Sequence, residues 1–299
     1  MLNNKRIILG GSGGGAGGES SVYGLSRIFM IAPAIQDKVC AYFGSSVFSI
    51  PAAYLANGGR AEQCYQLIRE HNQKVFTKNS WISRHFRRAP RYKSDGLHSV
   101  LISIFGEKRM CDLEKDCYIT AYRANDDRTD MRHRRVKVFT RADKVKVVDA
   151  IMASCAAPWF FGTWEIDGIK YGDGGVVDNL AADIALSYQH KETGLNPDNF
   201  KVMSIITGGM EKGERKAYKS GSFFSLLKKL PGQLLPADID GEILKVDNWV
   251  GECNHLVIRP PLDEYGLDDV KIQKKLTRQW GKFLGNKVVQ SNVLHWYEC

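Results

Sequence analysis

The stretch KRIILGGSGGGAGG, residues 5–18, limits the fold of this chain more than any other. Its first part, Lys5–Leu9, is a short apolar strand. Residues 10–18 are almost entirely glycine, and behind them Val22, Leu25, Ile28 and Phe29 repeat at helical spacing until Pro33. Strand, glycine loop and helix in that order belong to α/β architecture. Glycine lacks a Cβ, so consecutive N–H groups can converge on one point and a ligand can approach them closely. Such a loop at a helix start suits an anion, either a phosphate or the oxyanion of an acyl-transfer intermediate. Otherwise it is a plain surface turn. A P-loop is excluded, because no Gly-Lys-Ser/Thr follows. The spacing Gly13-x-Gly15-x-x-Gly18 does satisfy the dinucleotide fingerprint. Asp37 falls near the acidic position of that fingerprint, though not at the end of a second strand.

The alternation continues along the chain. Val39–Phe43 is a second strand. Ile50–Ala56 is a helix opened by Pro51 and closed by Gly58-Gly59, and Ala61–Val75 is an amphipathic helix. Ser99–Phe105 and Cys117–Arg123 read as strands, the second turning at Asn125-Asp126-Asp127 into Arg135–Thr140. Val145–Ser154 and Asp178–Tyr188 are helical, Glu165–Tyr171 straddles a turn at Asp167-Gly168, and Val202–Thr207 is a strand of the buried type. Residues 211–247 are the least regular. Within them FFSLLKKLPGQLL (223–235) suits either a helix packed on the core or a lid that touches a membrane. His255–Ile258 is a last strand and Val270–Leu284 a surface helix. With no repeat and no interdomain linker, one α/β domain with a largely parallel sheet is expected over residues 1–299. Its core motifs lie in 5–210, a lid-like segment in 211–247 and a C-terminal strand and helix in 255–299.

Two further stretches carry chemistry. In GSSVF (44–48) a strand turns sharply into a helix with Ser46 at the corner. A nucleophile elbow needs such a corner, with glycine two residues before and after the serine to relieve crowding. Gly44 is in place and Phe48 stands where the second glycine belongs; the plainer alternative is a helix cap by Ser45 or Ser46. In YGDGGVVDN (171–179) Asp173 lies between a strand end and Gly174-Gly175, which holds its carboxylate rigidly or makes only a turn. Oxyanion loop, serine elbow and acid in a glycine turn form a consistent set for serine acyl transfer. A triad would draw its histidine from His190, His255 or His295, none in a turn that marks it out. The alternative is a Ser–Asp dyad in which the carboxylate takes the serine proton itself.

Charge and cysteine content narrow the partners. The formal net charge is +9, concentrated in residues 84–93 and 132–146. Either run is a solvated face or is drawn to a polyanion. Aromatics for base stacking are sparse there, which favours anionic lipid over nucleic acid. The seven cysteines include no CxxC pair, as expected for reduced thiols with no disulfide framework and no metal site. No apolar run approaches the ~20 residues a membrane-spanning helix needs, and MLNNKRIILGG is too short for a secretory signal. A cytoplasmic protein, peripheral to a membrane, is therefore expected.

The chain resembles the patatin-like phospholipases through GGGAGG (13–18), GSSVFSIPAAYLA (44–56) and SCAAPWFF…EIDGIKYGDGGVVDNLAADIA (154–185), in that order, over roughly residues 5–210. A weaker echo lies in HLVIRPPLDE (255–264). The resemblance implies a three-layer α/β/α fold and a Ser–Asp dyad without histidine. Carried over, Ser46 is the nucleophile, Asp173 the base, and the amides of Gly13, Gly14 and Gly15 the oxyanion hole, with Gly44, Gly174 and Gly175 supporting the two turns. It implies calcium-independent hydrolysis of glycerophospholipid esters through an acyl-enzyme, with no cofactor, at a membrane surface, in a regulated effector that damages membranes. An oligomer is left open. Three departures stand out: Gly17 where the family carries Arg or Lys, an offset of one residue in ESSVYGL, and Phe48. Two other readings remain at this level: a nucleotide-binding oxidoreductase using Gly13–Gly18, and a degenerate hydrolase that only binds membranes or partners.

Overall fold

A computed structural model describes residues 5–80, 90–124, 136–157, 160–207, 239–262 and 269–298. Strand β1 (Arg6–Gly11) leads through the glycine loop and a 3-10 turn at Gly15–Gly17 into α1 (Gly18–Ile31). Then come α2 (Ala34–Lys38), β2 (Val39–Ser45), a 3-10 turn at Ser46–Phe48, α3 (Ser49–Ala56) and α4 (Ala61–Val75). The middle holds α5 (Asp95–Phe105), β3 (Asp116–Arg123), β4 (Val136–Phe139), α6 (Val147–Ser154), β5 (Trp164–Ile166) and β6 (Ile169–Asp173). The chain continues with α7 (Ala182–Thr193), β7 (Phe200–Ile205), α8 (Ile239–Val250), β8 (His255–Ile258), α9 (Gln273–Leu284) and α10 (Lys287–Glu298).

The strands form one mixed sheet in the order β5-β6-β3-β2-β1-β7-β8, with β4 also paired to β3. The run β3-β2-β1-β7-β8 is parallel, and β4, β5 and β6 enter antiparallel. Alternation along the strands divides the core. Ile7, Leu9, Tyr42 and Ile119 pack on one face with α1, α3, α5, α6 and α9, while Ile8, Phe43 and Tyr118 pack on the other with α7 and α8. Helices on both faces of a mostly parallel sheet make a three-layer α/β/α fold. In such sheets sites form beyond the carboxyl ends of parallel strands. Here the ends of β1 and β2 meet at Gly11 and Gly44, beside the loops that carry the glycines and Ser46.

Two expectations need correction. Ser99–Phe105 is helix α5, not a strand. Leu97, Leu101 and Phe105 fall on one buried face at helical spacing, although Val100, Ile102 and Ile104 give the segment a strand-like composition. The helix expected from Asp178 begins at Ala182. Ala181 takes a left-handed conformation (φ +58°), and its N–H donates to Asp178 Oδ1, so residues 178–181 form a turn. The hairpin at Asp167-Gly168 has both turn residues at positive φ, as a two-residue hairpin turn requires. Most of the first basic run (84–89), the start of the second (132–135), the turn at 125–127, the segment 223–235 and Asp263-Glu264 lie outside the described residues. The end of the segment expected to be irregular, from Ile239, is helix α8.

Candidate active site

Ser46 sits at the corner between β2 and the 3-10 turn that opens α3, with φ +52°. A non-glycine residue there costs on the order of 1–2 kcal/mol. The surroundings hold it in place. Its N–H donates to Ser154 Oγ (2.9 Å), and its carbonyl accepts from Ser49 Oγ (2.5 Å) and from the Cys155 thiol (3.2 Å). The side chain is left half-buried and points at the acid turn. Its hydroxyl donates to Asp173 Oδ2 at 2.6 Å, with no histidine between them.

Gly44 is required: a Cβ there would lie 2.5 Å from the Phe48 carbonyl oxygen. Phe48 itself adopts right-handed helical angles, so its backbone needs no glycine. Its ring is fully buried against β1, where a Cβ on Gly11 would fall 2.7 Å from it. The room that a glycine at position 48 would provide is supplied by Gly11 instead. Phe48 thus packs into the core rather than toward Ser46.

Asp173 ends β6, is almost wholly buried, and accepts the Gly175 N–H at Oδ1 (2.8 Å). Burial pushes its carboxyl up to about 7, against the pull of its bonds from Ser46 and Gly175. Gly174 leaves space for the Thr120 carbonyl, which would sit 2.2 Å from a Cβ. A carboxylate poised near neutrality and bonded to a hydroxyl is equipped to take a proton and return it.

The glycine loop lies against the same corner. A Cβ on Gly13 would come within 2.6 Å of Ser46 Cβ. The Gly13 N–H is already used: it donates to the Asn179 side-chain oxygen (2.9 Å) and, more weakly, to the Asn179 carbonyl (3.3 Å). Gly14 and Gly15 are half-buried, and their N–H groups meet no acceptor among the described residues. Of the three amides expected to face an oxyanion, these two are available and Gly13 serves as the loop's anchor.

Asn179 is in turn held from α8. Glu242 accepts the N–H groups of Asn179 (3.2 Å) and Leu180 (2.8 Å). Burial and the neighbouring Asp178 carboxylate push Glu242 well above the ordinary carboxylate range. Neither Asn179 nor Glu242 is visible as a site residue in the sequence. The only hint is that Asn179 follows the glycine turn, while Glu242 is separated from it by 63 residues.

The candidate histidines lie elsewhere. His190 bonds the Leu195 carbonyl at the end of α7, and His295 is on α10. His255 is buried between Ser204 Oγ (2.8 Å from Nε2) and Asp247 Oδ1 (2.7 Å from Nδ1). The dinucleotide geometry is also absent. Asp37 lies in α2, ahead of the second strand, and that strand ends in Ser45 where a ribose-binding acid would stand. Among the described residues no group of side chains could hold a metal ion, and no helix is long and apolar enough to cross a membrane.

The arrangement defines a serine–aspartate site at the carboxyl edge of an α/β/α sheet, and a sequence model of the patatin-like phospholipases matches residues 12–186. Since the match takes in more than half of the chain, this protein belongs to the patatin-like phospholipase family. The cGAMP-activated phospholipase of Vibrio cholerae is similar at 27% identity, over 68% of this chain and 63% of that protein. The cUMP-AMP-activated phospholipase of Escherichia coli is also 27% identical, over 62% of this chain and 61% of that protein. The chain thus matches less than two thirds of the length of either relative. Among solved structures, VipD from Legionella pneumophila superposes with a TM-score of 0.48 at 12% identity, covering 94% of this chain and 67% of that one.

Proposed function

We propose that the protein is a lipid acyl hydrolase that cleaves glycerophospholipid esters through a Ser46–Asp173 dyad. The observation that carries this reading is the 2.6 Å hydrogen bond from Ser46 to Asp173. Ser46 Oγ attacks the ester carbonyl carbon while its proton passes to Asp173 Oδ2. The carbonyl oxygen, now negative, faces the N–H groups of Gly14 and Gly15. Collapse breaks the ester bond, and the departing lysolipid oxygen takes the proton from Asp173. Asp173 then removes a proton from water, which attacks the acyl-serine; the Oγ–acyl bond breaks, the fatty acid leaves, and Ser46 Oγ takes the proton back from Asp173. An acid pushed up to about 7 suits both roles, since its ionised and protonated forms are both populated near neutral pH.

Membrane association and a regulated, membrane-damaging role extend the same reading. The names of the two relatives support a ligand-switched activity of this kind here, with a cyclic dinucleotide as the first activator to try. The test is fatty-acid release from mixed anionic liposomes, with and without cyclic dinucleotides, by the parent, Ser46→Ala and Asp173→Ala. Release by the parent and loss in both variants is expected. Release that survives Ser46→Ala sinks the dyad. Vesicle binding with no turnover under any condition leaves a binding protein on a hydrolase scaffold.

A further inference from the structure

The second of the two basic runs, 132–146, is largely neutralised where it is described. Lys137 pairs with Asp143, Arg141 with Asp116 (3.2 Å) and Lys146 with Glu107 (2.6 Å). A further concentration of charge, on α9 and at its two ends, has the opposite character. Residues 270–287 contain Lys271, Lys274, Lys275, Arg278, Lys282 and Lys287 and no Asp or Glu. Leu276, Trp280 and Leu284 bury one face of α9 against α1, where a Cβ on Gly24 would fall 2.2 Å from the Trp280 ring. Lys271, Lys274, Arg278 and Lys282 recur every three or four residues on the opposite face, all exposed. Among the described residues none of these four has an acidic partner. Lys274 to Lys282 spans about 12 Å of helix axis.

This strip is tied to the active site. The Gln273 side chain, in the first turn of α9, donates to the Ala16 carbonyl in the glycine loop. A surface that engages α9 therefore lies beside the loop whose amides receive the ester oxygen.

We propose that the cationic face of α9 is the surface by which the protein docks on an anionic lipid bilayer. The proposal rests on the lipid-hydrolase reading for its biological sense but makes a separate prediction. A straight row of cations opposite a buried face matches a plane of anionic headgroups. Beside it Val288 is 66% exposed, an apolar contact that a bilayer accepts and water does not favour. Stacking on nucleic-acid bases is not offered, because Trp280 is buried and Phe283 half-buried.

The test uses the full chain and vesicles of phosphatidylcholine with or without phosphatidylserine. The strip variant is Lys274→Gln/Arg278→Gln/Lys282→Gln and the control is Lys137→Gln/Arg141→Gln/Lys146→Gln. Each cation near an anionic surface is worth roughly fivefold in binding, so the strip variant loses roughly a hundredfold in affinity for anionic vesicles. The control is expected to change much less, and parent binding to weaken as salt is added. Hydrolysis of a soluble short-chain ester, measured in parallel, is unchanged in the strip variant, which shows that its fold and dyad are intact. Equal vesicle binding by parent and strip variant overturns the proposal. So does parent binding that ignores phosphatidylserine, or a defect confined to a single-stranded oligonucleotide. Failure of the parent to hydrolyse the soluble ester counts against the dyad alone, since the vesicle comparison needs no turnover.

Discussion

The molecule contains two serine constellations, and the one that looks more like a catalytic triad lies away from the glycine loop. Ser204, His255 and Asp247 are joined in the order of a charge-relay chain, at 2.8 and 2.7 Å. Yet Ser204 lies one residue from the end of β7, in regular strand conformation, with no exposed surface. Burial holds the imidazole below its ordinary range despite the Asp247 carboxylate, so the neutral ring bridges β7, β8 and α8 as a structural clamp. Ser46 has only an aspartate, but it stands on a left-handed corner, half-buried, beside two amides that meet no acceptor among the described residues. A nucleophile is marked by access, backbone geometry and oxyanion donors, and a hydrogen-bonded histidine supplies none of these.

The comparison breaks most sharply at the two serines. Ser46→Ala is expected to lower ester hydrolysis by roughly 10⁴-fold or more, while Ser204→Ala leaves it within about twofold. A fluorophosphonate probe followed by peptide mapping checks the same point, labelling Ser46 and not Ser204. The two acids part next. Asp173→Asn abolishes turnover, yet it should stabilise the fold at pH 8. The folded carboxyl titrates at about 7 against an ordinary 3.8, so native stability is full below the lower value and declines as pH rises through the higher one. Removing the charge should recover on the order of 2–4 kcal/mol at pH 8, read by denaturant unfolding.

Phe48→Gly sharpens the contrast between fit to a motif and fit to this core. It restores the usual elbow pattern but empties a buried site against Gly11, at a cost of about 3–5 kcal/mol in stability, with no gain in turnover. His255→Ala should cost about 2–3 kcal/mol by stripping partners from Ser204 and Asp247, with kcat of the folded enzyme unchanged. The smallest effect is in the pH profile. The rate should rise tenfold per pH unit below an apparent pKa near 7 and then level off, since Asp173 must be ionised to accept the proton. A profile set by His255 would instead turn below its ordinary value near 6.5.

What could be read ahead of the structure was whatever is encoded locally. The strand–glycine–helix start, the serine corner and the acid turn each occupy a few consecutive residues, and their order along the chain fixed the sheet around them. Ser99–Phe105 misled because its β-branched content outweighs a helical period visible only when Leu97 is included. Asp178 looked like a helix start and is a turn-maker, bonding the Ala181 amide. The partner of Gly13 is 166 residues away, so no window of sequence could reveal that this glycine is an anchor. The same holds for charge. The runs dense in arginine stand out in any window of sequence, while the row on α9 emerges only when its apolar stripe is buried and the remaining face holds no acid.

The reach of Glu242 into the turn after Asp173 bears on how this protein can be cut and recombined. The recognisable catalytic sequence ends at residue 186, which invites its use as a portable cassette. Such a cassette would leave behind the carboxyl group that receives the Asn179 and Leu180 amides, and with it the support of the glycine loop. Chimeras joined anywhere between Leu180 and Glu242 must therefore inherit α8 from the same parent, or supply an acceptor of equal length at that place.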